Sequence, residues 1–189
     1  MTFANKVTLF RIISVPFFIT ALAFYAPQRV FLKWVALGIF LLAIVSDVID
    51  GYIARSHRQK TPAGALLDPL ADKALLITAF ILLYYVGKAY LSVPLPLWFV
   101  ILVVSRDVTI LIGGALILMM NKKYRIAPTT WGKWTTFLQM ATVTGIILEV
   151  PAVRFVWMAA AVLTAISGID YSRRGIQALN ETQNPAKPC

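Results

Sequence analysis

The chain has 189 residues, of which 59% are hydrophobic and 14% charged, and Lys plus Arg exceed Asp plus Glu by 18 to 8. So apolar a chain, with a mean hydropathy of +0.77, excludes a disordered segment and argues against a soluble globular domain, where charged residues run near about 25%. At about 20 residues per crossing there is room for six or seven spans with short loops, and none for a separate soluble domain.

In chain order, the apolar runs predict an all-α bundle of six transmembrane helices. They cover residues 7–25, 30–49, 66–86, 95–120, 134–150 and 155–169. The fourth run is long and the last is short. Pro27, Pro62, Pro94 with Pro96, Pro128 and Pro151 separate the runs. Residues 1–175 form the predicted membrane domain, and 176–189 a polar, mobile tail. Cys189 is the single cysteine, so there is no internal disulfide framework.

The basic residues alternate by side. Lys6, Arg11, Arg55, Arg58, Lys60, Lys122, Lys123, Arg125, Lys133, Arg173, Arg174 and Lys187 fall on one side. Arg29, Lys33, Lys88 and Arg154 fall on the other, and Lys73 and Arg106 lie inside spans. The positive-inside rule then predicts a multi-pass protein with both termini in the cytoplasm. A cleavable signal peptide over Lys6 to Ala21-Leu22-Ala23 would leave five spans and spoil this alternation. The excess of positive charge points to anionic lipid headgroups or phosphorylated substrates rather than nucleic acid.

Four of the eight acidic residues, Asp47, Asp50, Asp68 and Asp72, lie within 26 positions, where the second and third spans meet the predicted cytoplasmic face. Asp47 and Asp50 are spaced i, i+3, and Asp68 and Asp72 i, i+4, so each pair shares a helix face. Two helices joined by a short basic loop run antiparallel, and both pairs can point into one crevice. Four carboxylates so close repel unless cations sit between them. Oxygen-only ligands favour Mg²⁺, Mn²⁺ or Ca²⁺ over zinc, and a two-metal site suits in-line displacement at phosphorus. Gly51, Ala54 and Gly64 leave space for a ligand to approach the backbone, and Arg55 is placed to hold a diphosphate. His57, the only histidine, reads as a solvated loop residue.

From Asp47 to Asp72 the chain meets the pattern Asp-x2-Asp-Gly-x2-Ala-Arg-x8-Gly-x3-Asp-x3-Asp without a mismatch. This resembles the signature of the CDP-alcohol phosphotransferases, integral-membrane enzymes of phospholipid synthesis. Asn5, Thr8 and Arg11 look like the family's N-terminal element. Asp68-Pro69-Leu70-Ala71-Asp72-Lys73 looks like its glycerophospholipid-forming branch, as do Gly132-Lys133, Thr136, Gln139, Ser167-Gly168 and Asp170-Tyr171.

The resemblance implies six transmembrane helices, a homodimer, and two divalent cations (Mg²⁺ or Mn²⁺) held by Asp47, Asp50, Asp68 and Asp72. It implies Asp72 as the base for the acceptor hydroxyl. Asp47, Gly51, Ala54, Arg55, Gly64 and Asp68 would line the CDP pocket. The active site would face the cytoplasm, which in a bacterium means the inner membrane. The donor would be CDP-diacylglycerol, and CMP would leave. The acceptor would be a glycerol-derived alcohol, with Arg106, Arg125 and Lys133 as its candidate ligands. The tract Ser105-Arg106-Asp107-Val108, with Arg125, Pro128-Thr129 and Lys133, looks closer to the CMP-forming cardiolipin synthases, which use phosphatidylglycerol. The alternative is glycerol 3-phosphate, as in phosphatidylglycerophosphate synthases, although Gly114 stands where many of those have a second arginine. From other classes, an ion transporter or channel would place its acids near mid-bilayer, and a structural lipid-binding protein would tolerate loss of all four aspartates.

Overall fold

The structure is a computed structural model that describes residues 3–57, 62–119 and 130–183, with side chains described for 9–46, 70, 73–114 and 130–174. Among the described residues there are six α-helices and no strand. They are α1 (Phe3–Ala23), α2 (Val30–His57), α3 (Pro62–Tyr90), α4 (Leu97–Met119), α5 (Thr130–Ile147) and α6 (Val153–Gln183).

Each predicted apolar run has its helix, but the ends differ for a physical reason. Hydropathy marks how much of a helix lipid can hold, whereas backbone hydrogen bonding continues into polar sequence. So α2 runs on to His57, and α3 starts at Pro62, ahead of the apolar run. Proline suits that first position, where its missing N–H has no partner to lose. Read as the shortest run, the sixth segment becomes a helix of 31 residues, continuing past Gly175 into the predicted tail. At 1.5 Å per residue it is about 46 Å long, more than the roughly 30 Å of bilayer hydrocarbon. Pro16 sits inside α1, where it removes one backbone bond, a loss that membrane helices tolerate.

Helix α1 packs against both α2 and α3, α5 lies along α6, and α4 bridges α3 and α6. Phe18, Phe40, Phe80 and Phe99 fill the centre with no exposed surface. Phe80 and Phe99 meet edge to face, ring centres 5.5 Å apart, the geometry that aromatic quadrupoles prefer. Gly145 lets α6 begin close against α5: a Cβ there would lie 2.7 Å from Val153 Cγ2.

The surface carries many large apolar side chains, while the largely apolar interior also encloses polar ones. Phe31, Phe24, Phe17, Phe155, Val162 and Tyr85 are exposed. Asp107, Thr135, Gln139, Thr142, Thr164 and Ser167 are completely buried. Thr135 Oγ1 donates to the carbonyls of Trp131 (2.8 Å) and Leu163 (3.1 Å), joining α5 to α6. Lipid tails are as apolar as leucine, so helix contacts in a membrane rest on packing and such polar links. Among the described residues, four stretches are long and apolar enough to cross a membrane: Pro27–Ser46, Lys73–Tyr90, Leu97–Gly114 and Val153–Arg174. Helix α1 contributes a shorter one, Leu9–Ala23. Helix α5 lies outside this set; its inward face carries Thr135, Gln139 and Thr142.

The loops opposite the aspartate motif are tied by one carboxylate. Glu149, between α5 and α6, accepts from Lys33 Nζ at the start of α2 and, through Oε2, from Ser92 Oγ (2.9 Å) in the α3–α4 loop. Its φ of 57° is left-handed, a conformation usually left to glycine. The α5 helix ends there in a Schellman cap, with Val150 N donating to Gly145 O (2.9 Å) and Glu149 N to Ile146 O (3.0 Å).

Candidate active site

Helix register places all four motif aspartates at one end of the bundle. Asp47 and Asp50 lie in the last part of α2, Asp68 and Asp72 in the first part of α3, and four residues, 58–61, connect the two helices. The side chains of these aspartates lie outside the described residues, as do those of Asn5, Thr8, Gly51, Ala54, Arg55 and Gly64, and Arg125 altogether.

Of the N-terminal element, Arg11 on α1 has its side chain among the described residues. It is buried, and lines a small crevice with Phe40, Ala43 and Ile44 of α2, Leu75 and Leu76 of α3, and Met140 of α5. Ala43 is one helical turn before Asp47, and Leu75 and Leu76 are one turn after Asp72. The crevice therefore brings α1, α2 and α3 together one turn inward from the aspartates.

Next to Asp72 in sequence, Lys73 belongs to an ionic cluster. Asp107 on α4 has no exposed surface, and its Oδ1 accepts from Lys73 Nζ on α3 (3.0 Å) and from Arg106 Nη1 (2.7 Å). Arg106 Nη2 donates to Ser167 Oγ on α6 (2.6 Å), and its guanidinium lies 5.7 Å from the Tyr171 ring centre. Lys73 Nζ is also 3.5 Å from Thr136 Oγ1 on α5. The cluster thus links four helices, α3, α4, α5 and α6, with Asp107 Oδ1 at its centre. Ionisable groups in a membrane interior are costly and mark function by default.

Among the candidate acceptor ligands, Arg106 is buried and has two nitrogens committed within the protein, while Lys133 is exposed. Trp131 and Trp134, beside Lys133 on α5, are exposed too, a composition suited to a membrane–water interface. Gly132 and Gln139 are buried on the inward face of the same helix.

Among the described residues no group of three or more His, Cys, Asp or Glu side chains forms a metal site. The metal-ligand expectation falls on Asp47, Asp50, Asp68 and Asp72. As a donor set these four fit hard divalent ions by chemistry: all are carboxylates, on two consecutive helices joined by residues 58–61.

Sequence reasoning singled out Arg106 as intramembrane but missed the Lys73–Asp107 link. A signal was present. Lys73 is a cation inside a span, such a cation needs a counter-charge, and Asp107 is the acid within the next span.

The family profile for CDP-alcohol phosphatidyltransferase matches residues 1–167. The chain is 33% identical over 171 residues to the CDP-diacylglycerol–glycerol-3-phosphate 3-phosphatidyltransferase of Haemophilus influenzae, covering 87% of this chain and 88% of the other. A Yersinia pestis protein of the same name is 34% identical over 173 residues, 87% of this chain and 89% of its own. One from Aquifex aeolicus is 30% identical over 185 residues, covering 94% and 97%.

Proposed function

The chain belongs to the CDP-alcohol phosphatidyltransferase family, and we propose that it transfers the phosphatidyl group of CDP-diacylglycerol to glycerol 3-phosphate, releasing CMP. That it is a transferase of phospholipid synthesis follows from the family and its relatives. The acceptor replaces the phosphatidylglycerol favoured by the short tracts around Arg106 and Lys133. Those tracts cover a few positions, whereas relatives named for glycerol 3-phosphate match along nearly the whole chain. The observation that carries the transfer chemistry is the complete motif from Asp47 to Asp72, set on the end of one helix and the start of the next, with four residues between them.

In this reading Asp47, Asp50, Asp68 and Asp72 hold two divalent cations, Mg²⁺ or Mn²⁺, which supply positive charge where the diphosphate and the attacked phosphorus carry negative charge. Gly51, Ala54 and Gly64 leave room for the cytidine diphosphate, and Arg55 binds its phosphates. Asp72 takes the proton from the acceptor hydroxyl as its oxygen bonds to phosphorus and the bond to the CMP oxygen breaks. Asn5, Thr8 and Arg11 close the site from α1.

The proposed topology is six crossings with both termini and the aspartates on the cytoplasmic side. It is supported by the alternation of basic residues and by the exposed apolar belt. There the donor's acyl chains remain in lipid while its nucleotide reaches water, and the basic loops meet anionic headgroups. A homodimer is part of the same proposal.

The test supplies purified protein with CDP-diacylglycerol, a divalent cation and either glycerol 3-phosphate or phosphatidylglycerol. The expected product is phosphatidylglycerophosphate with CMP, from the first acceptor alone. Cardiolipin from the second would overturn the acceptor, and absence of CMP from both would overturn the transferase mechanism as assigned.

A further inference from the structure

We propose that Asp107 is a positioning residue for this reaction, setting the rotation and height of α3 through Lys73 and thereby the presentation of Asp68 and Asp72. The proposal rests on the phosphatidyl-transfer reading above. Its premise is geometric: Lys73 is the residue after Asp72 on the same helix, and its ammonium is held 3.0 Å from Asp107 Oδ1 on the neighbouring helix.

Helices in lipid lack the hydrophobic drive that fixes rotation in a soluble bundle, so polar links across the interface carry more of the register. Turning α3 by one residue would rotate its side chains by about 100° and shift them by about 1.5 Å. Displacements of about 1 Å at a reacting centre are enough to lower rates by about a hundredfold. The Lys73–Asp107 bond opposes such a turn at the residue adjoining Asp72.

Neutralising Arg106 does not by itself explain the arrangement. Arg106 and Asp107 would form a balanced pair, yet Oδ1 also takes Lys73, giving two cations on one buried carboxylate oxygen. The other end of the cluster, Arg106 to Ser167, reaches α6 and bypasses α3. The two arms can therefore be separated experimentally.

The test uses the full chain in liposomes with CDP-diacylglycerol, divalent cation and glycerol 3-phosphate. Asp107→Asn and Lys73→Met are each expected to lower kcat at least tenfold, with both KM values within threefold of wild type. Because they break one link, the double variant should be no more than threefold below the worse single variant. Ser167→Ala, which loosens the α6 arm alone, should keep kcat within threefold. Independently of turnover, backbone amides of residues 68–76 should exchange hydrogen at least tenfold faster in Lys73→Met than in wild type, with α1 unchanged. Lys73→Met leaves the Arg106–Asp107 pair balanced, so it carries the test if Asp107→Asn does not fold.

Unchanged kcat, multiplying losses, an equal loss in Ser167→Ala, or unchanged exchange over 68–76 would each overturn the proposal. Wild-type protein that releases no CMP would instead overturn the transfer reading, and with it any catalytic role for Asp107. The exchange result would then decide the hold on α3 alone.

Discussion

The bundle uses carboxylates at both ends, in opposite ways. At one end, helix spacing gathers Asp47, Asp50, Asp68 and Asp72, and the neighbouring interior holds Asp107 with Lys73 and Arg106. At the other, Glu149 in the α5–α6 loop binds Lys33 on α2 and Ser92 in the α3–α4 loop, at the margin of the bundle. Asp107 is fully enclosed, whereas Glu149 keeps 29% of its side-chain surface. Both connect separate parts of the chain, but their worth differs. Removing one partner of a buried pair strands a charge in low dielectric, while water screens and replaces a partner at the margin. The enclosed pair fixes helices against one another, while Glu149 ties the margin of the bundle together.

The largest expected effect is Asp72→Asn, which should abolish CMP release while thermal unfolding in detergent stays close to wild type. Retained turnover in a folded variant would remove the assigned base and erase the distinction between the two ends. Next, Asp107→Ala should cost about 3–5 kcal/mol of stability by removing the buried carboxylate that Lys73 and Arg106 share, read as a lowered denaturant midpoint. Gly145→Ala should follow at about 1–3 kcal/mol, because the new methyl would collide with Val153 where α5 and α6 converge.

Glu149→Ala should cost least, about 1 kcal/mol or below. Glu149→Gly should cost less than Glu149→Ala, since glycine accepts the left-handed φ that alanine does not. An alanine variant as unstable as that at Asp107 would abolish the contrast between enclosed and marginal pairs.

Acid sharpens it further. Hydrogen bonds from Lys33 and Ser92 hold the Glu149 carboxyl below its ordinary range, with Lys33's charge acting in the same direction and burial opposing. A group whose folded pKa is depressed contributes stability above its unfolded pKa and loses it as pH falls through the folded value. The stability gap between wild type and Glu149→Gln should therefore be constant near neutrality. It should begin to close at about pH 5, where the unfolded glutamate starts to bind protons, and go on closing as pH falls through the lowered folded value.

Much of this was legible in the chain. Six apolar runs match six helices among the described residues, because a continuous apolar run bounded by proline holds several helical turns. The aspartate motif was legible because its spacing matches one helical repeat. Helix ends were less so: α6 continues past Gly175 because backbone hydrogen bonding does not stop where apolar sequence does. The Lys73–Asp107 bond joins residues 34 positions apart on different helices, and no local spacing encodes which face of α4 meets α3. For the left-handed turn at Glu149 the sequence offered only Pro151 nearby, and a glutamate there is contrary to backbone preference.

The length of α6 has a mechanical consequence. Ser167 is the helix's attachment to Arg106, and Gln183 lies sixteen residues beyond it, about 24 Å along a straight rod. Such a rod is a lever with its fulcrum inside the bundle. A tilt of about 5° at Ser167 sweeps the far tip by about 2 Å over that reach, so a fluorophore near Gln183 would serve as a pointer magnifying small rearrangements around Arg106 into a measurable displacement.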